Sequence, residues 1–146
     1  MKNFIKFIFL QQFINRNLLN FFHYLKITDR KKDIIITPGG DNISPIKIEN
    51  ELINSELFEQ AIVYGDNKPF LIALLVLNDE KKSSTEAEIK AEIEKINKKL
   101  SKIENIKKYF IINEKFSIEN GMLTPTLKLK RFKIIQKYKN SFENLY

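Results

Sequence analysis

The sequence of 146 residues contains no cysteine and a single histidine, His23. Without cysteine the chain has no disulfide, no thiol nucleophile and no cysteine-based metal site. No group of carboxylates lies near His23 in the sequence, so a zinc site is not expected and no metal ligand is predicted. There is also no Gly-rich phosphate loop followed by Lys and Ser or Thr, and no dinucleotide fingerprint. A self-contained enzyme is hard to build from these residues.

The composition is that of one globular domain with excess positive charge. Hydrophobic residues make up 43% and charged residues 29% of the chain, and the formal net charge is +7. Such a charge favours anionic partners in general, from coenzyme phosphates to nucleic acid or acidic membranes, and does not choose among them. Because the lysines are interleaved with glutamates, a solvated surface is the simpler interpretation. A basic module that binds a membrane or nucleic acid is the alternative.

Residues 1–26 differ from the rest of the chain. They contain no acidic residue and are dominated by Phe, Ile, Leu and Asn, interrupted by polar residues. The apolar run is too short and too broken to span a bilayer, and no small-residue cleavage site follows it. A helix lying on a membrane, a helix packed on the domain, and a segment foreign to the domain are all compatible with it. We therefore predict two parts: an atypical, helical segment over 1–26 and the domain proper over 27–146.

The region after residue 27 predicts a mixture of short strands and helices. "DIIIT" is a β-branched run stopped by Pro-Gly-Gly, and "QAIVYG" and "FLIALLVLN" are strands expected to pair as antiparallel neighbours. "YFIIN" reads as a third strand. Ser44 and Pro45 fit the cap and the first position of a helix whose apolar face holds Ile48, Leu52 and Ile53.

Two further helices complete the pattern. The first is capped by Ser84 or Thr85, and its apolar residues recur at spacings of four and three. These residues are Ile89, Ile93, Ile96, Leu100 and Ile103. "RFKIIQKYKNSFENLY" closes the chain as a basic helix. The predicted fold class is α+β: a small mixed or antiparallel sheet of about three strands with flanking helices and a short hairpin, preceded by the helical segment.

Two loops stand out as candidates for chemistry. In "ITPGGDN" adjacent glycines allow a positive φ and a close approach of the backbone to a ligand. In "LTPTLKLKR" an extended Thr-Pro-Thr segment could hold Lys128 or Lys130 away from the domain. From spacing alone, an ordinary tight turn is the simpler interpretation of the first loop, and a surface loop with solvated lysines is the simpler interpretation of the second.

Taken together, the loops resemble one family. "ITDRKKDIIITPGGDNISPIKIENEL", "QAIVYGDNKPFLIALLVLN" and "FSIENGMLTPTLKLKRFKIIQKY" resemble, in order and spacing, the C-terminal domain of AMP-forming acyl-CoA synthetases, in the long-chain fatty acid branch. The resemblance covers residues 27–146. It implies a two-step reaction in which ATP and a fatty acid give an acyl-adenylate, and coenzyme A then displaces AMP. ATP or AMP, CoA and Mg²⁺ belong to the full-length family, and none is expected to be bound by this chain alone.

The resemblance also implies roles for individual residues, beginning with the lysines. Lys128 matches the lysine that enters the active site for adenylation, and Lys130 is the alternative. Lys128 is preferred because Arg131 then falls where the family often has an arginine three residues later. A cation bridging the carboxylate and the α-phosphate would reduce their repulsion in the transition state.

The other implied roles fall on the hinge and the glycine turn. Asp29 and Arg30 match the start of the hinge motif, with Arg30 near the ribose hydroxyls of AMP, and Lys32 matches the hinge position. Gly39 and Gly40 match the turn that lines the tunnel for the pantetheine of CoA.

This sequence departs from the family before the hinge. "NRNLLNFFHYLK" replaces an extended segment and lacks the Asp that holds the ribose. The expected partner is the large N-terminal adenylation domain, which carries the nucleotide and fatty-acid sites and could be a separate polypeptide. We expect the chain to be a truncated or split synthetase that is inactive alone. We expect a cytoplasmic location, no nucleic-acid partner, and peripheral membrane contact as an open alternative.

Overall fold

The computed structural model describes residues 33–146. The predictions for segment 1–26, and for the hinge residues before 33, lie outside this range. The described part contains a three-stranded sheet and a two-stranded hairpin combined with helices. The predicted α+β class with a small mixed sheet is confirmed.

The sheet is built around one fully apolar strand. Strands β1 (Ile35–Ile36) and β2 (Asn42–Ile43) form the hairpin, while β3 (Phe58–Tyr64), β4 (Leu71–Leu77) and β5 (Ile106–Ile112) form the sheet in that order. All seven residues of β4 are buried. A strand covered on both faces needs such an uninterrupted apolar run, and the sequence predicts this strand for that reason.

Of the two strand pairings in the sheet, one has the predicted direction and the other was not predicted. Strand β3 pairs with β4 in the antiparallel direction, which confirms the prediction. Strand β5 pairs with β4 in the parallel direction and starts at Ile106, three residues before the predicted "YFIIN". The early residues include Lys107 and Lys108, whose charges hid the start of the strand.

Two core clusters lie on the two faces of β4. Alternate side chains of a strand point to opposite faces. The first core cluster takes Leu71, Ala73, Leu75 and Leu77, and the second takes Ile72, Leu74 and Val76. Helices α1 (Pro45–Ile53) and α2 (Glu86–Asn97) supply the first cluster, and helices α3 (Arg131–Lys137) and α4 (Lys139–Glu143) supply the second.

Helix α1 begins as predicted, but the prediction that Ile53 belongs to its buried apolar face is wrong. The side chain of Ser44 accepts a hydrogen bond from the Lys47 N–H, and Pro45 opens the helix. Ile48 and Leu52 are fully buried, whereas Ile53 is 43% exposed. Each helical residue rotates by about 100°, so Ile53 turns away from the face that Ile48 and Leu52 share.

Helix α2 ends before the last two residues of its predicted apolar face. Thr85 caps it in a capping box with Glu88. Its last residue, Asn97, exchanges two 2.9 Å hydrogen bonds with the backbone of Ile106 and so turns the chain into β5. Leu100 and Ile103 therefore lie beyond the helix, and Ile103 is 49% exposed.

The closing helix is also interrupted. The chain bends at Tyr138, between α3 and α4. The Tyr138 hydroxyl donates to Glu114 at 2.9 Å, and its ring packs near Phe110. This bend rests on contacts with residues distant in sequence, so the local pattern did not indicate it.

Candidate functional site

The stretch around the two candidate lysines folds as a short hairpin over residues 122–130, the lysine hairpin. An antiparallel bridge joins Leu123 to Leu129. The N–H of Lys130 donates to the Met122 carbonyl at 2.8 Å. Met122 and Leu123 are buried in the second core cluster. The base of the hairpin is therefore fixed to the core, and its exposed tip points away from it.

Lys128 lies at this tip. The N–H of Leu127 donates to the Thr124 carbonyl at 2.8 Å and closes a β-turn with Pro125 at its second position, where the fixed φ of proline fits. The Lys128 N–H donates to Thr124 Oγ1 at 3.0 Å, and the Thr124 N–H donates to the Lys128 carbonyl at 2.8 Å. The backbone of Lys128 is thus held on both sides. Its side chain is exposed and forms no ion pair with any residue of the described range.

Lys130 occupies a different position at the base of the hairpin. It is half-buried and immediately precedes α3 as its N-cap residue. Its carbonyl accepts from the N–H groups of Lys133 at 2.9 Å and Ile134 at 3.2 Å. Because its backbone starts a helix, Lys130 is less able than Lys128 to reach away from the domain.

The Gly-Gly turn connects β1 and β2 in a second hairpin, residues 35–43, the glycine hairpin. Gly40 has a φ of 87°, and a Cβ built on it meets no atom within 4 Å. Gly40 is therefore required by conformation and not by space. A Cβ on Gly39 would lie 3.5 Å from Asp41 Oδ2 and 3.6 Å from Thr37 Oγ1, which is ordinary contact. Neither backbone strain nor the chain's own packing explains the glycine at position 39.

Both hairpins use the same five-residue turn. Residues 37–41 read Thr-Pro-Gly-Gly-Asp, and residues 124–128 read Thr-Pro-Thr-Leu-Lys. In each, the threonine carbonyl accepts from the fourth N–H, its hydroxyl oxygen accepts from the fifth N–H, and its own N–H donates to the fifth carbonyl. The fourth residue is left-handed in both, with φ values of 87° at Gly40 and 58° at Leu127. The repeated Thr-Pro pair is a signal of this shared turn that the predictions did not include.

A groove of about 490 Å³ opens beside Gly39. Part of its wall is apolar surface from Phe70 and Ile103. The charged residues that line it are Asp41, Lys68, Lys102 and Lys107. Lys68 is paired with Glu143 at 2.7 Å, but the rim is still positive overall. The groove therefore offers apolar contact on its wall and positive charge on its rim.

The two hairpins are rooted on opposite faces of the sheet. Ile35 and Ile43 of the glycine hairpin belong to the first core cluster. Met122 and Leu123 of the lysine hairpin belong to the second. The two clusters take alternate residues of β4, so they lie on its two sides. The bases of the two hairpins are therefore packed on different sides of β4.

A buried ion pair, absent from the sequence predictions, ties the lysine hairpin to the rest of the domain. Glu49 of α1 is 3% exposed, and both its oxygens accept from the Arg131 guanidinium at 2.7 Å. Glu49 also accepts from the Val63 N–H at 2.7 Å, and Arg131 donates to the Val63 carbonyl at 3.2 Å. The pair thus provides hydrogen-bond partners for both the N–H and the carbonyl of Val63 at the outer edge of β3. The only signal for it in the sequence is a glutamate between Ile48 and Leu52 on an otherwise buried helix face.

Asp29, Arg30 and Lys32 lie outside the described residues. Within 33–146, no three acidic or histidine side chains converge to form a metal site. In the same range, no helix has the length and apolarity needed to cross a membrane.

Comparison with known proteins gives one consistent result. A family model, AMP-binding enzyme C-terminal domain, matches residues 32–146. Long-chain-fatty-acid–CoA ligase FadD15 of Mycobacterium tuberculosis is 35% identical over an alignment 144 residues long, and the match covers 84% of this chain and 24% of that protein. Long-chain-fatty-acid–CoA ligase 5 of Rattus norvegicus is 36% identical, covering 84% of this chain and 21% of that protein. The chain thus spans about a quarter or less of the length of these curated relatives.

A solved structure shows the same arrangement. The A domain of the carboxylic acid reductase from Segniliparus rugosus, in complex with AMP and a co-purified carboxylic acid, superposes with a TM-score of 0.74 at 28% identity. The match covers 82% of this chain and 20% of that one.

Proposed function

Since the chain belongs to the family of AMP-binding enzyme C-terminal domains, we propose that residues 27–146 act as the mobile domain of a long-chain fatty acid–CoA ligase. The substrate class follows the names of the two ligases described above. The observation that carries the proposal is the placement of the lysine and glycine hairpins on opposite faces of one sheet. A domain that serves two successive steps needs two such surfaces and a partner large enough to hold the substrates. That partner is the N-terminal adenylation domain, on the same or on a separate polypeptide.

In the first step, the lysine hairpin serves adenylation. A carboxylate oxygen of the fatty acid attacks the α-phosphorus of ATP, and the bond to pyrophosphate breaks. Both reacting groups are anionic, so an ammonium group placed between them lowers their repulsion and stabilises the transition state. Lys128 meets this need because a fixed backbone holds its exposed, flexible side chain at a tip.

In the second step, the opposite face serves thioester formation. The sulfur of the CoA thiol bonds to the acyl carbon and gives up its proton to solvent, while the bond from that carbon to the phosphate oxygen of AMP breaks and AMP leaves with the electron pair. The groove beside Gly39 has the apolar wall and the positive rim that the pantetheine and phosphates of CoA require. The missing side chain at Gly39 leaves the passage open, and Gly40 shapes the turn.

The hinge residues complete the proposal by resemblance alone. Arg30 and Asp29 would contact the AMP ribose, and Lys32 would be the point about which the domain turns. Mg²⁺ would accompany ATP, and we assign it to no residue of this domain.

The test is to supply the chain with an adenylation domain and measure the two half-reactions separately. The 146-residue chain alone should form no acyl-CoA from ATP, fatty acid and CoA, and the assembled enzyme should. Lys128→Ala should abolish acyl-adenylate formation and leave thioester formation from a supplied acyl-adenylate largely intact. Lys130→Ala is the matched control, and the same selective loss there instead would move the assignment to Lys130. Turnover by the chain alone would overturn the proposal.

The alternative of a basic membrane- or nucleic-acid-binding module gains no support from these relatives. Many of its lysines are also neutralised within the fold. Lys47, Lys68 and Lys115 each pair with a carboxylate within 2.7 Å.

A further inference from the structure

Leu127 stands in a conformation that its side chain disfavours. Its φ of 58° is left-handed, where the Cβ of an L-residue crowds the following carbonyl oxygen. Two non-glycine residues of the described range have a positive φ, and the other is Asn67, a residue type that tolerates this region. A strained backbone at one position indicates that the surrounding structure, or a function, holds it there.

The fold itself shows that the strain is avoidable. In the glycine hairpin the same turn position is occupied by Gly40, which adopts the left-handed region without a Cβ. The flanking hydrogen bonds are the same in both turns. A glycine at position 127 would therefore preserve the lysine hairpin and remove its strain.

The side chain of Leu127 gives the isolated domain little in return. It is 69% exposed, at a tip whose core contacts are made lower down by Met122 and Leu123. An exposed apolar side chain costs solubility and gains free energy only when a partner removes it from water. Leu127 also directly precedes Lys128, and both residues are exposed at the tip, within reach of one partner surface.

We propose that Leu127 is an apolar anchor that is buried in a hydrophobic pocket of the adenylation domain when Lys128 enters the active site. This inference rests on the proposed function and adds to it the kind of surface that the partner presents. The leucine would hold the tip in place, and the lysine would supply the charge. Because the glycine hairpin faces the other way, the anchor would contribute to adenylation and not to thioester formation.

The experiment compares Leu127→Gly with Leu127→Ala in the chain assembled with an adenylation domain. Leu127→Gly should raise the melting temperature of the chain by roughly 4 °C because it relieves the strained φ. It should nevertheless lower the rate of acyl-adenylate formation by about 10- to 100-fold, the value of one buried leucine side chain. Thioester formation from supplied acyl-adenylate should change less than about twofold. A variant that is more stable and yet slower in one half-reaction cannot be explained by damage to the fold.

Leu127→Ala separates the anchor from flexibility, since alanine keeps a restricted backbone and loses the side chain. It should slow adenylation as much as Leu127→Gly; a normal rate in Leu127→Ala would attribute the loss to flexibility and overturn the inference. Ile53→Ala, which removes another exposed aliphatic side chain, should leave both half-reactions unchanged. If Lys128→Ala abolishes adenylation while both Leu127 variants retain it, the anchor fails and the proposed function stands. If Lys128→Ala has no effect, the proposed function fails first.

Discussion

Replacing Glu49 by glutamine should strongly destabilise the domain, because Glu49 is the buried carboxylate of the ion pair with Arg131. The carboxylate is 3% exposed and accepts three hydrogen bonds of 2.7 Å, one from Val63 and two from Arg131. All its partners are donors, so the amide group of glutamine must turn its own donor towards one of them. The guanidinium also loses the charge that compensates its burial.

The magnitude follows from the burial of both partners. Removing one member of a buried ion pair costs about 3–5 kcal/mol. We expect about 3 kcal/mol, the lower end, because Arg131 keeps its hydrogen bond to the Val63 carbonyl and its side chain retains 16% exposure. A domain of this size has a free energy of unfolding of about 5–15 kcal/mol, so the loss is large.

Urea unfolding followed by circular dichroism measures this loss, with Glu104→Gln as the matched control. Glu104 is 8% exposed, but its partner Lys47 is 56% exposed at the side chain, so water can replace the lost contact. The control should cost about 1 kcal/mol or less. Equal losses in the two variants, or a loss below about 1 kcal/mol for Glu49→Gln, would refute the reasoning. In a double-mutant cycle with Arg131→Gln, the double variant should lose less stability than the sum of the two single variants.

Three further variants test the glycine hairpin and a half-buried phenol. Gly40→Ala should lower the free energy of unfolding by about 1 kcal/mol, measured by urea unfolding, because the φ of Gly40 is 87°. Gly39→Ala should leave stability unchanged and slow thioester formation. A normal rate of thioester formation in Gly39→Ala would show that Gly39 does not line the path of CoA. Burial, and then the hydrogen bond to the Glu114 carboxylate, raises the pKa of Tyr138 from 10.0 to about 12. The folded state therefore favours the neutral phenol, and this contribution to stability is complete below pH 10 and lost as the pH rises towards 12. Tyr138→Phe should flatten the fall of unfolding free energy over that interval, and an unchanged slope would contradict the assignment.

The features that could be predicted from the sequence are those decided by neighbouring residues. The apolar run of β4 identified the central strand, and Ser44 with Pro45 located the start of α1 because capping is a local interaction. The features that escaped prediction depend on distant partners. Glu49 meets Arg131 82 positions away, and its position between Ile48 and Leu52 on the buried face of α1 does not identify that partner. The bend at Tyr138 also depends on distant contacts, and no Gly or Pro marks it in the sequence.

The paired turns show how one backbone design can serve two chemical demands. Both hairpins fix five residues with the same three hydrogen bonds, so the turn itself does not distinguish the two loops. The difference lies in the last three side chains, which are Gly-Gly-Asp in one and Thr-Leu-Lys in the other. Absent side chains allow a ligand to pass close to the backbone, whereas a leucine and a lysine extend into a partner. Exchanging residues 39–41 and 126–128 between the hairpins should therefore preserve the fold and lower the rates of both half-reactions.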